Sequence, residues 1–133
     1  MKLAYTLDQS IALEIGKHYF DLHNDYELVS AIHDRTRCYL SFVKREAKWV
    51  KDQDPTHLIV VFEQVTFFQV SVGTRLPNSI EEIGFKGPDD WDLDWFSQTS
   101  DAETMHILFR LEADEFVRIG AGSSLVLTNL LVP

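Results

Sequence analysis

Apolar positions along this chain peak in one stretch, His57 to Val72, which reads HLIVVFEQVTFFQVSV. Val, Ile, Phe and Thr dominate it, and side chains that branch at Cβ or carry a ring suit a pleated backbone better than a helical one. Parity places Leu58, Val60, Phe62, Gln64, Thr66, Phe68, Val70 and Val72 on one face, and His57, Ile59, Val61, Glu63, Val65, Phe67, Gln69 and Ser71 on the other. Both faces are largely apolar, which predicts a strand covered on both sides or one that passes between sheets. Fully extended, the stretch would reach roughly 53 Å, against a diameter of about 36 Å for a compact chain of this length. It therefore has to turn, and the polar pair Glu63-Gln64 is the expected place for a bulge or bend.

The same pattern reading predicts the rest. Residues 1 to 16 fit a short helix over Gln9 to Ile15, capped by Asp8 and stopped by Gly16, although Ile11, Leu13 and Ile15 also alternate as in a strand. KHYFDLH and YELVSAIH flank Asn24-Asp25 as an expected hairpin. RCYLSFVK follows the turn at Asp34-Arg35-Thr36, so residues 17 to 44 read as a three-strand meander. Lys44 to Thr56 is a polar connection, and Ile80 to Phe85 reads as a helical turn begun by Asn78 or Ser79. GPDDWDLDWFSQTSDAE is a long loop. MHILFRLE and EFVRIG form a hairpin, Gly120-Ala121-Gly122 is a break, and LVLTNLLVP supplies a last apolar strand. The prediction is a single domain over residues 1 to 133: a mainly β, antiparallel sandwich or partly open barrel of seven to nine strands with one or two short helices. An α+β roll is the alternative.

Charge changes this picture by its distribution. The net charge of −9 resides in residues 76 to 115, while residues 35 to 51 carry +5 through Arg35, Arg37, Lys44, Arg45, Lys48 and Lys51 against Glu46. Such lopsidedness bears on partners and association rates. Asp8 and Glu14 interrupt any signal-peptide core, no apolar run is long enough to span a membrane, and the lone Cys38 excludes an internal disulfide. A cytoplasmic setting is therefore expected, with Cys38 as a small buried hydrophobe.

Candidate chemistry concentrates in Asp89, Asp90, Trp91, Asp92, Asp94, Trp95 and Phe96. Asp90, Asp92, Asp94 and Asp101 stand at positions 1, 3, 5 and 12 of a twelve-residue loop, a spacing that resembles a helix-loop-helix calcium site. Position 6, where that loop turns on Gly, is Trp95, and position 12 is not Glu, so no metal is assigned. The other reading is a protein contact in which the rings supply buried area and the acids steer a basic partner. Against it stands a solvated loop whose rings fold back onto the core.

Other candidates are weaker. No pair among His18, His23, His33, His57 and His106 has helical ligand spacing. Glu63 as a buried general base competes with an exposed strand position. Gly120 to Ser124 lacks the third glycine of a dinucleotide fingerprint, no nucleophile elbow is present, and no cofactor is implied. The basic stretch with Trp49 could meet nucleic acid, but overall acidity disfavours it. A pairing of basic 35–51 with acidic 76–115, within the chain or across a homodimer, is an equal account. The expected function is a non-enzymatic acidic module that binds a basic protein through the Asp/Trp loop. In size and acidity it resembles the small bacterial immunity and antitoxin proteins, which block toxic enzymes. The alternative is a β-barrel that binds or transforms a small molecule in a pocket lined by the long run, using residues such as Glu63, a His and Tyr39.

Overall fold

The long run breaks at its polar pair. In the computed structural model, which describes residues 1–51, 53–94, 96–98 and 104–128, Gln64 takes a left-handed φ of 55° and divides it into the strands His57–Glu63 and Phe67–Val70. They lie in different sheets. In chain order the strands are β1 Lys2–Leu3, β2 Thr6–Asp8, β3 Ala12–Ile15, β4 His18–Asp21, β5 Tyr26–Asp34, β6 Arg37–Lys44, β7 His57–Glu63, β8 Phe67–Val70, β9 Ile80–Lys86, β10 His106–Leu111, β11 Phe116–Gly120 and β12 Ser123–Leu127. A five-stranded sheet has the order β1-β12-β7-β6-β5, a four-stranded sheet β8-β11-β10-β9, and a three-stranded sheet β2-β3-β4. All neighbours are antiparallel except β1 and β12.

The inner faces of the two larger sheets meet in a sandwich. Leu40, Phe42, Leu58, Val60 and Phe62 from one pack against Ile83, Phe85, Ile107, Phe109, Val117 and Ile119 from the other, with Phe62 edge-on to Phe109 at 6.3 Å. Alternation along each strand sends the intervening residues outward. The small sheet adds Leu13 and Phe20 to the same core and hydrogen-bonds to β9 through Ile83 N–H and Ser10 O at 2.7 Å.

Four local expectations are corrected. Residues 1 to 16 form strands and no helix: Gln9 and Ser10 turn one hairpin with positive φ, and Gly16, at φ 59°, turns the next. The Asn24-Asp25 turn does not make a hairpin. The Asp21 carboxylate accepts from the His23 and Asn24 N–H groups and from Asn24 Nδ2, and this turn carries the chain from one sheet to another. Hence 17–44 is not a meander, although β5 and β6 do pair. Ile80 to Phe85 belongs to β9 and is not a helical turn. Among the described residues the only helical element is a 3-10 turn at Glu112–Asp114, and the strands number twelve.

Candidate functional site

The outer face of the four-stranded sheet is unusual in carrying cations at buried positions. Parity directs Lys86 of β9, His106, Leu108 and Arg110 of β10, and Arg118 of β11 away from the core. Yet Arg118 and Leu108 are wholly buried, and Lys86 and His106 nearly so. The cover is the acidic loop that follows β9. It leaves the strand at Gly87 and returns through Ser97, which exchanges two backbone hydrogen bonds with Phe85 at 2.7 and 3.0 Å.

Arg118 fastens this loop. Its Nε–H donates to His106 Nδ1 at 2.9 Å, and its two terminal nitrogens donate to the carbonyl oxygens of Asp90 at 2.7 Å and Gly87 at 2.8 Å. The planar guanidinium also lies 4.4 Å below the ring of Trp91. Because Nδ1 accepts, His106 is neutral with its proton on Nε2. Burial first, and the neighbouring Arg118 charge second, hold its pKa below the ordinary histidine value. Burial likewise lowers the pKa of Arg118. The His106 ring stacks on Phe67 at 4.7 Å and is pressed against Gly120, where a Cβ would stand 2.7 Å from the imidazole.

Further along, the loop closes on itself and on β9. Asp90 accepts from the Asp92 N–H at 3.0 Å, and Asp92 from the Asp94 N–H at 2.7 Å, so two successive turns fix the carboxylates. Asp90 also pairs with Lys86 at 3.3 Å. The Asp92 N–H foremost, and then Lys86, hold its pKa below the usual carboxylate range. Phe96 sits over Gly84, where any added Cβ would stand 2.3 Å from the Phe96 Cβ, and its ring lies between Lys86 and Arg110 at 5.8 and 5.6 Å. Arg110 in turn pairs with Glu82 at 2.9 Å.

The sequence candidates thus fall into three groups. Asp90, Trp91 and Phe96 are brought onto one platform. Asp89, Asp92 and Asp94 are exposed on the same loop, and Trp91 keeps 59% of its surface open above Arg118. Trp95, and Asp101 of the calcium-like spacing, lie outside the described residues. Among the described residues no three His, Cys, Asp or Glu side chains converge as metal ligands. Phe96 folds onto the outer face of a sheet and not into the core between sheets.

Other candidates are placed elsewhere. Glu63 is part-exposed on the outer face of the five-stranded sheet, beside Arg37 at 3.6 Å, so it is no buried base. Cys38 is buried, and that burial pushes its thiol up to about 12. Lys44 donates to the carbonyls of Lys51 and Asp54, and Arg45 pairs with Glu27 at 2.8 Å. Arg118, Lys86 and Gly84 do not stand out in the sequence, and His106 and Gly120 stand out only as a possible ligand and a turn. The signal available was parity: cations at outward positions of strands whose inward positions are core.

The outcome is an acidic, aromatic surface built over buried cations. The cations neutralise the loop from below, while the carboxylates of Asp89, Asp92 and Asp94 face water around Trp91. No protein family matches the chain, and no curated protein or solved structure matches it either.

Proposed function

We propose that the chain is a non-enzymatic interaction module that binds a basic protein through the loop carrying Asp89, Asp90, Trp91, Asp92, Asp94 and Phe96, with Trp95 as part of the same segment. The observation that carries this reading is Trp91, an exposed indole held over a buried guanidinium and surrounded by carboxylates whose turns are already formed. Ordering a loop on binding costs free energy for each immobilised side chain, and a loop already pinned avoids much of that cost. An aromatic anchor amid steering charges is the composition found at interface hot spots. A basic enzyme blocked by the loop, in the manner of immunity and antitoxin proteins, is the partner class this surface suits.

The alternative, a pocket protein, gains less support. Among the described residues, two surface grooves, of about 650 Å³ beside Trp49 and about 400 Å³ beside Tyr5, are both open, and neither is lined by the run 57–72. Affinity capture from native lysate with wild type beside Trp91→Ala tests the interaction reading. The expected result is a basic partner retained by the first and lost by the second; identical recoveries, or none from either, would remove its basis.

A further inference from the structure

The two outer faces of the sandwich contrast. The loop covers one; the other, on the five-stranded sheet, bears an apolar row with a mixed serine and aliphatic row beside it. Register aligns Ile32, Tyr39, Val61 and Leu125 in one row across β5, β6, β7 and β12, and Ser30, Ser41, Ile59 and Leu127 in the next. None of these residues belongs to the core cluster. Ile32 is 54% and Leu127 40% exposed, Tyr39, Ile59 and Leu125 are part-exposed, and Val61 between them is buried. A third row bounds the stripe with charge: Asp34, Arg37, Glu63 and Ser123 lie side by side.

We propose that this face pairs with the same face of a second copy, about a two-fold axis running along the strands between β6 and β7. That operation keeps each row on itself and reverses the strand order, so β6 of one copy lies over β7 of the other and β5 over β12. Ile32 then meets Leu125 of the second copy, Tyr39 lies over the buried position of Val61, and Ser41 meets Ile59. The charged row is self-complementary under the same operation. Arg37 faces the second copy's Glu63 and Glu63 faces its Arg37, two opposite-charge pairs from one symmetry element. Within one chain these two groups are only 3.6 Å apart and more than a third exposed, so each has open surface to offer across the interface.

Size sets the strength. Four strands about 4.8 Å apart and about seven residues deep make a face near 19 by 24 Å. Two copies therefore cover roughly 900 Å² in flat projection and more over real side chains, at the threshold of about 1,000 Å² for a specific contact. Sheets stacked face to face in the manner of a sandwich, about 10 Å apart, satisfy this geometry. The result is a reversible dimer that places the two acidic loops on opposite outer sides, where both are free for partners. It differs from a pairing of segment 35–51 with segment 76–115, since the acidic loop stays outside the contact and β6 meets β7.

Sedimentation equilibrium of the full chain, over concentrations up to about 0.5 mM, tests the proposal with Arg37→Glu and Glu63→Arg. Wild type is expected to dimerise as concentration rises. Each variant alone sets like charges against each other across the axis and should weaken the dimer at least about tenfold. An equimolar mixture of the two variants restores both opposite-charge pairs and should recover wild-type dimerisation, which loss of the intrachain pair could not produce. Urea melts of each variant confirm that the fold is retained. A wild type that stays monomeric throughout, variants that dimerise as wild type does, or a mixture that fails to recover would each overturn the proposal.

Discussion

Replacing Arg118 by Met keeps most of the volume under the loop and removes every directional contact that fastens it. The structure allows the cost to be worked out. His106 Nδ1, buried beneath Phe67 and the loop, loses its donor, and an unpaired buried acceptor costs about 1–3 kcal/mol. The carbonyls of Asp90 and Gly87 lose theirs, at about 0.5–1.5 kcal/mol each, with water as the replacement partner. Loss of the cation under Trp91 adds about 1 kcal/mol. Opposing these is the relief of no longer burying a guanidinium whose nearest carboxylate, Asp90, is engaged with Lys86, a gain of several kcal/mol in comparable buried sites. The net expectation is a loss of about 2–3 kcal/mol, or a drop of about 8–12 °C in melting temperature for a domain of this size. Urea unfolding followed by circular dichroism measures the first, and a change in tryptophan emission reports Trp91 leaving its guanidinium. Arg118→Lys keeps the charge without the fork and should fall between the two. A Met variant within about 0.5 kcal/mol of wild type, inside the range of ordinary surface changes, would refute the idea that Arg118 holds the loop.

Other consequences follow from the same geometry. Because the folded protein holds His106 neutral and below its ordinary value of 6.5, the unfolded chain takes up a proton first as pH falls. The stability due to this group is therefore complete above pH 6.5 and declines just below it, a dependence that should be absent from melting curves of His106→Asn. Gly120→Ala drives a Cβ into an imidazole stacked on Phe67 and should cost about 1–3 kcal/mol; Gly84→Ala, pressed on Phe96, should release the loop at least as far, seen as faster amide exchange over residues 87–94. Cys38, wholly buried with its thiol pushed up to about 12, should resist a thiol reagent at pH 8 until urea unfolds the chain; native-state labelling would contradict its burial.

Much of the architecture is legible in the chain because it rests on periodicity and length. The break at Gln64 follows from a run longer than the domain, and β10, the turn at Ala113-Asp114 and β11 follow from alternation bounded by turn residues. The failures have physical causes of their own. Ile80 and Ile83, three apart, look helical; both point inward from a strand because the register shifts opposite Arg110 and Leu111, leaving Glu81 as an extra residue. Gly16, read as a helix stop, is equally the turn glycine of a tight hairpin, and no local signal separates the two uses. Which strand pairs with which is non-local, so local pattern joins β4 to β5 when its partner is β3. The loop was readable as acidic and aromatic. The platform beneath it was not, because Lys86, His106 and Arg118 are far apart in sequence and meet only through the order β11-β10-β9.

In the proposed function Trp91, on its pinned loop, anchors a basic partner. The most direct test of that role is the dissociation constant of the captured partner for wild type and for Trp91→Ala, measured side by side with circular dichroism confirming equal folding. A central aromatic anchor predicts a loss of about 2 kcal/mol or more, close to thirtyfold. Constants that agree within a factor of about two would contradict the account.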